Sequence, residues 1–228
     1  MKAKRPLRHI IKAFADSFNL TFRVNSSVIV GDNTVLVVEN TLHLRKWLKV
    51  TINTVEYEIL SVSNDTTFTI VGKPTNITYV TYPRPYLFIG TPETVGQELT
   101  TRLKGSDKYP MIYLYEVITE KFTTDPSNAT ERTSDIRLFF LDEANPKWDE
   151  GFNLETYYSS VVDASYRLAD YFMYMANEKS IYFNRCDGYE LRPAHKYEFF
   201  DEINSKLNEK LAGTYLRVNL NVNKENNC

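Results

Sequence analysis

Two pairs of neighbouring carboxylates have the residue types and spacing best suited to chemistry: Asp142 with Glu143, and Asp149 with Glu150. Carboxylates grouped in this way can bind a divalent cation or take part in acid–base catalysis. Such a site would also need a histidine, a basic residue or a third carboxylate held at a fixed position. The residues between the pairs instead predict an exposed loop, whose acids would face the positive end of the helix that follows. We therefore interpret the acidic loop 142–150 as structural, and a hydrolase site is the alternative.

Histidines and cysteines offer no further site. His9, His43 and His195 are far apart in the sequence, and none lies at metal-ligand spacing from another or from a cysteine. Cys186 and Cys228 lack the CxxC spacing and cannot form a framework of disulfides. The phosphate-binding, dinucleotide-binding, nucleophile-elbow and zinc-protease motifs do not occur in the sequence. The sequence thus predicts a protein without catalytic residues, metal or cofactor, and one that is not an enzyme.

The composition is that of a folded chain without a strong charge. Of the 228 residues, 43% are hydrophobic and 25% are charged, which excludes a disordered protein. The net charge of −2 gives no general attraction to nucleic acid, although Lys2, Lys4, Arg5 and Arg8 form a basic cluster. We favour a solvated surface for this cluster, and contact with DNA or an acidic partner is the alternative. No apolar run approaches the ~18 residues of a membrane span, so no membrane partner is expected.

The element that organises the chain is the stretch from Asn153 to Asn177, which contains no glycine or proline. Its apolar residues recur at helical spacing and predict one long amphipathic helix that packs on a sheet. The opposite face is not uniformly charged, because it carries or is bordered by Met173 and four tyrosines. Aromatic side chains of this kind suit interfaces between subunits. We predict such a contact at Tyr157, Tyr166, Tyr171 and Tyr174.

Three segments follow from the spacing of apolar and turn residues. Residues 1–21 contain a short amphipathic helix, which starts at Pro6 and belongs to the main domain. Residues 22–85 hold short runs rich in valine, isoleucine and threonine, and predict an inserted all-β module, either a barrel or a sandwich. Residues 86–228 form the main domain.

The main domain is predicted to be α+β, with an antiparallel sheet packed by the one long helix. Its strongest strands are Met111–Ile118 and Asp135–Leu141, and the alternating run Thr214–Val222 ends the pattern. The polar stretch 123–130 between the two strong strands is too long for a tight hairpin. Thr91, followed by a proline and an acid, predicts the start of another helix.

In its order of elements, residues 86–222 resemble the tail-terminator and tail-completion proteins of tailed bacteriophages. The resemblance rests on a capped helix after a short strand, two long strands, one dominant helix and a final strand, with the sequences TPETVGQEL, PMIYLYEVI, SDIRLFFLDE and GTYLRVNLNV. The phrase RLFFLDEANPKWDEGF is similar to connector proteins of phages that infect Bacteroidetes, including the crAss-like group. The β insertion in residues 22–85 departs from the pattern of this family.

The resemblance implies a structural protein of the virion, assembled in the host cytoplasm, that forms a homo-oligomeric ring at the head–tail junction or the tail end. Rings of this family are commonly hexameric or dodecameric, and genomic DNA passes through the lumen. The expected partners are further copies of the chain, neighbouring connector, portal-adaptor or tail proteins, and transiently the DNA. The family has no catalytic residues to carry over. A function of another class is the alternative: a ligand-binding or glycan-binding module presented by the β segment.

Overall fold

The chain folds into two compact units. In the computed structural model, Asn19–Pro85 form one unit, here called the barrel unit. Met1–Phe18 and Tyr86–Cys228 together form the other, here called the mixed unit. The structure describes residues 6–90, 109–124, 130–143, 154–184, 186, 188–194 and 211–222.

Six antiparallel strands form the barrel unit: β1 (Thr21–Val30), β2 (Asn33–Val38), β3 (Lys49–Ile52), β4 (Val55–Asn64), β5 (Thr67–Val71) and β6 (Tyr79–Thr81). They follow the order β1-β2-β5-β4-β3-β6, and the pairing of β6 with β1 completes the circle. Closure of this kind removes most of the open sheet edges that a sandwich would leave. Of the barrel and the sandwich predicted for this segment, the structure shows the barrel.

Alternating side chains fill the interior of the barrel. Phe68 and Ile70 of β5 are fully buried and the threonine between them is half-buried, as the period-two pattern predicts. In β4 the sequence allows either Ile59 or Leu60 to point inward. Ile59 is buried and Leu60 is exposed, because the register against β5 shifts between Ile59 and Ser61. This bulge decides which side chain joins the core.

The barrel begins earlier than the sequence predicts. The first valine-rich run of the sequence is Val28–Val30 and the module is predicted to begin at residue 22, whereas β1 begins at Thr21 and Leu20 is already buried in the barrel unit. The Leu20 carbonyl accepts the N–H of Tyr82 at 2.9 Å. The sequence also gives no sign of β6, which pairs with the first residues of β1. Both segments are short or polar, so only their pairing across the barrel makes them strands.

A six-stranded sheet is the centre of the mixed unit. Its strands are β7 (Tyr86–Ile89), β8 (Met111–Thr124), β9 (Thr130–Glu143), β10 (Phe183–Asn184), β11 (Tyr189–Ala194) and β12 (Leu211–Val222). The order is β10-β12-β9-β8-β7, and β11 also pairs with β12. The prediction of an antiparallel sheet is wrong at β7, which runs parallel to β8. Parallel strands need a long connection, and the chain between β7 and β8 has the length for one.

Among the described residues of the mixed unit, two helices pack: α1 (Leu7–Asp16) and α2 (Leu154–Tyr174), which continues into a π-helical turn at Met175–Lys179. The Phe172 ring of α2 lies 5.7 Å from the Phe140 ring of β9, between centroids. The Phe14 ring of α1 lies 4.9 Å from Phe172. The prediction that one long helix packs the sheet alone is therefore not confirmed, because α1 contributes to the same aromatic core.

The two central strands are longer than predicted. β8 and β9 stay paired to their ends, where Thr124 lies opposite Thr130. Threonine favours strands, so the polar stretch 123–130 contributes residues to both of them. The expectation that the whole of this stretch is a loop is therefore wrong. The connection narrows to residues 125–129, which lie outside the described residues.

Some predictions fall where the structure is not described. The helix predicted to start at Thr91 and the loop residues 144–153 lie in these parts of the chain. Within the described residues, no helix is both long and apolar enough to cross a membrane.

Candidate functional site

The first acidic pair is buried in a strand rather than exposed in a loop. Asp142 and Glu143 are the last residues of β9, where the two residues are 1% and 9% exposed. The Asp142 carboxylate accepts the N–H of Glu143 at 2.7 Å. The expectation that an exposed loop begins at Asp142 is wrong, because pairing with β12 extends the strand through both residues. Asp149 and Glu150 lie outside the described residues.

The two described histidines belong to different units. His43 is buried in the barrel unit, with its Nε2 atom 2.9 Å from the carbonyl oxygen of Pro83, whereas His9 is exposed on α1. His195 lies outside the described residues. Among the residues that the structure describes, no three His, Cys, Asp or Glu side chains are grouped closely enough to hold a metal ion.

Of the four residues in the predicted basic cluster, the structure describes Arg8. Arg8 is exposed on α1, near the exposed Lys12, which pairs with Asp16 at 3.1 Å. The apolar residues of α1 face the core, so its charged residues share the solvent side of the helix. The other members of the predicted cluster, Lys2, Lys4 and Arg5, lie outside the described residues.

Helix α2 presents two contrasting faces. The inner face matches the helical spacing of the sequence, with Val161, Val162, Ser165, Leu168, Ala169 and Phe172 all buried. On the outer face, Tyr166 is 46% exposed and Tyr174 is 49% exposed. Tyr166, Asp170 and Tyr174 follow one another at intervals of one turn and therefore share a stripe.

A half-buried tyrosine connects this stripe to the core. The Tyr171 ring stacks on Tyr174, with centroids 6.3 Å apart and planes at 28°. It also meets the edge of Phe18, with centroids 5.5 Å apart. Tyr171 is thus held between a core phenylalanine and an exposed tyrosine, which restricts the rotamers that the Tyr174 side chain can adopt.

Strand β11 adds a third exposed tyrosine beside the helix. Tyr189 is 42% exposed, and its hydroxyl donates a hydrogen bond to Oδ1 of Asp170 at 3.2 Å. We call Tyr166, Tyr174 and Tyr189, together with Asp170 between them, the tyrosine surface. It offers three aromatic rings with polar tips on one side of the mixed unit.

The surroundings of Tyr189 keep its hydroxyl protonated. Burial raises the pKa of Tyr189, and the charge and hydrogen bond of Asp170 raise it further. The phenol therefore stays neutral at physiological pH and continues to donate to the carboxylate. Such a surface can bury rings against a partner while its hydroxyls form hydrogen bonds at the rim.

The residues that the sequence assigns to the outer face of α2 differ in their exposure. Tyr166 and Tyr174 are exposed and Tyr171 is half-buried, while the side chain of Tyr157 is outside the described part of α2. Met173 is buried, so its placement on the outer border is wrong. Tyr189 was not predicted. In the sequence, the alternation of β11 is the one pattern that includes Tyr189, and it does not predict that this strand lies beside α2.

A shallow cleft of about 300 Å³ borders Tyr189 and is lined by charged residues of the sheet, among them Asp135 and Arg217. The Arg217 guanidinium donates to both carboxylate oxygens of Asp135, at 3.2 and 2.8 Å. This hydrogen bonding and the charge of Asp135 raise the pKa of Arg217. Asp135 and Arg217 thus satisfy each other, and Glu190, which also lines the cleft, pairs with Arg192.

Comparison with known proteins finds no family model, no curated protein and no solved structure that matches the chain. The resemblance to phage tail-completion proteins thus rests on the order of elements in the sequence and stays a prediction.

Proposed function

We propose that this chain is a structural subunit of a bacteriophage virion, which assembles with copies of itself into a ring at the head–tail junction or the tail end. The tyrosine surface carries the proposal: three tyrosines between 42% and 49% exposed surround Asp170 on one side of the mixed unit. The order of elements that resembles tail-terminator proteins supports the virion context.

The physical case for a protein contact is the cost of leaving this surface in water. Aromatic rings bring a large apolar area, and tyrosine is among the residue types that dominate binding energy at interfaces. The stacking on Tyr171 and the hydrogen bond to Asp170 hold two of the rings in place before any partner binds. Pre-positioned side chains lose less conformational entropy on association.

A ring needs a contact between two different surfaces of the chain. When such a head-to-tail contact closes on itself it gives a cyclic assembly, and the proposal assigns the tyrosine surface to one side of it. The ring would be a hexamer or a dodecamer that surrounds the exit channel of the genomic DNA. Its axial neighbours would be connector, portal-adaptor or tail proteins.

Charged substitutions in the tyrosine surface test the proposal. A chain with Tyr166→Glu and Tyr174→Glu places two carboxylates beside Asp170, and we expect its mass in sedimentation velocity to fall from that of a ring to that of a monomer or dimer. The control is Tyr79→Glu, which changes a tyrosine of similar exposure in the barrel unit and should leave the ring intact. Equal masses for the double variant and the wild type would contradict the proposal.

The exposed side chains of the barrel unit do not favour the glycan-binding alternative. Its exposed large apolar residues are the aliphatic Val28, Ile29, Val30, Val55, Leu60 and Val71, with a single tyrosine, Tyr79. Sugar rings stack best on aromatic faces. Six exposed aliphatic side chains on strands suit a contact with another protein surface better.

A further inference from the structure

Part of strand β1 has an open edge, because its two halves pair on opposite sides. Its first part, Thr21–Arg23, pairs with β6 on one side. Its second part, Ser26–Val30, pairs with β2 on the other side. In the barrel unit, all of which the structure describes, no strand pairs with the remaining side of residues 26–30. We call these residues the β1 edge.

The hydrogen-bonding pattern shows which backbone groups the β1 edge presents. The Val38 N–H donates to the Thr66 carbonyl at 2.8 Å, so the even-numbered residues of β2 bond towards β5. Odd-numbered residues of β2 therefore bond to β1, where their partners are Ser26, Val28 and Val30. The N–H and C=O groups of Ser27 and Ile29 then point away from the barrel. They form an open template for one more strand.

The side chains of the β1 edge are apolar and exposed. Val28, Ile29 and Val30 are 60%, 56% and 58% exposed, although consecutive strand residues point to opposite faces. This end of the hairpin therefore projects with both faces in solvent. On its outer face Val30 lies beside Asn33, whose other neighbour is the exposed Val71. Natural sheets usually protect an exposed edge with lysine, proline or a charge, and residues 24–30 contain none of these.

We propose that the β1 edge pairs in antiparallel orientation with the β1 edge of a second copy of this chain, about a two-fold axis. An uncharged edge can meet its own copy without repulsion between like charges. The charges lie at the two ends, with Arg23 at the start of β1 and Asp32 in the turn after it. In an antiparallel pair, the Arg23 end of one copy lies at the Asp32 end of the other, so the flanking charges attract.

A tight turn ends the hairpin beside the β1 edge. Gly31 has φ of 61° at the first central position of the two-residue loop between Val30 and Asn33, as a type II′ turn requires. The Asp32 carboxylate accepts from Lys73 at 2.8 Å and is still 97% exposed, so it has room for a second basic partner. The edge is thus ordered before a second copy binds.

The pairing is weak by itself and has a symmetry different from that of a ring contact. A single short strand pair buries less than the ~800 Å² per partner of a standard stable interface, so the dimer should depend on concentration. The inference stands without the proposed ring. If the ring also forms, two-fold pairing of the β1 edge adds a second contact between copies of the chain.

Substitutions at the β1 edge test the pairing in the full chain. Val28→Lys places equal charges at the two-fold contact, and Ser27→Pro removes an outward N–H without breaking a bond inside the barrel. The matched control is Val55→Lys, a valine of similar exposure at the start of β4. Association is measured by sedimentation equilibrium over a wide range of concentrations, in the wild type and in the chain with Tyr166→Glu and Tyr174→Glu.

The expected result is a reversible doubling of mass that both edge variants weaken about tenfold or more, and that Val55→Lys leaves unchanged. The doubling should persist in the chain with Tyr166→Glu and Tyr174→Glu, which separates the edge from the ring contact. Absence of any doubling in the wild type, or equal doubling in the edge variants, would overturn the inference. The inference would also be overturned if the β1 edge remained unpaired in the purified chain and paired only with a strand of a different protein.

Discussion

The two units expose apolar area in different ways. In the mixed unit, Tyr166 and Tyr174 project from α2, whose backbone groups are already bonded within the helix, so only side chains are available to a partner. In the barrel unit, the β1 edge offers backbone N–H and C=O groups together with its side chains. The tyrosine surface can therefore meet any surface of matching shape, whereas the β1 edge requires a strand.

The two cores differ as well. The core of the mixed unit contains a cluster of aromatic rings, in which Phe172 meets Phe14 and Phe140 edge to face. The barrel interior is mostly aliphatic, with Phe68 as its large fully buried ring. Each unit thus has a core of its own, and variants of the two cores show whether the units also unfold separately.

Removal of one large ring from each core has the largest expected effect. Phe172→Ala leaves a cavity beside three other phenylalanines, and Phe68→Ala does the same in the barrel, each at a cost of about 3–5 kcal/mol. We expect Phe172→Ala to speed amide hydrogen exchange in β8, β9 and β12, and Phe68→Ala to speed exchange in β2 and β5. Equal loss of protection in both units from either variant would show that they unfold together.

A methyl group at Gly213 should affect the mixed unit alone. A Cβ atom there would lie 1.9 Å from the carbonyl oxygen of Phe140 and 2.9 Å from its carbonyl carbon, so the backbone of β9 would have to move. We expect Gly213→Ala to lower the free energy of unfolding of this unit by about 3 kcal/mol in urea titrations. Gly188→Ala is the control, because a Cβ at Gly188 meets nothing within 4 Å. The prediction fails if the two variants are equally stable.

Each unit contains a buried tyrosine that makes its stability sensitive to high pH. The Tyr82 hydroxyl donates to the Asn40 carbonyl in the barrel, and the Tyr113 hydroxyl donates to the Gly90 carbonyl in the mixed unit. Burial raises the pKa of both from the ordinary value of 10.0, and Tyr115 raises that of Tyr113 further. The unfolded chain then loses the phenol proton at a lower pH than the folded chain does, so raising the pH above 10.0 favours unfolding.

The expected loss is about 1 kcal/mol for each tyrosine between about pH 9 and about pH 11, measured by denaturant titration. Tyr82→Phe should remove the part of the loss that belongs to the barrel, and Tyr113→Phe the part that belongs to the mixed unit. An unchanged pH dependence in both variants would assign the effect to other groups.

Local periodicity predicts much of this fold. Helical spacing predicts α1 and the buried face of α2, and alternation predicts the inward residues of β5, because these signals depend only on neighbours in sequence. Pairing between distant segments is not contained in such signals. The short β6, the early start of β1 at Thr21 and the parallel pair of β7 with β8 all depend on it.

In the candidate surfaces too, some residues are predicted by local spacing and others depend on pairing between distant segments. The helical positions of Tyr166 and Tyr174 predict their exposure, since both lie opposite the apolar stripe of α2. Tyr189 joins them only because β11 pairs with β12 beside the helix. The run Val28–Val30 is one of the short β runs that the sequence predicts, and its open edge follows from the residues at which pairing with β6 ends and pairing with β2 begins.

Native mass spectrometry of the full chain tests ring assembly most directly. We predict a single closed species with six or twelve times the 26.5 kDa of one chain, which falls to monomer or dimer when Tyr166 and Tyr174 are changed to glutamate. A wild-type chain that remains a monomer at every concentration, or that forms an open series of masses without a preferred number of copies, would contradict the ring.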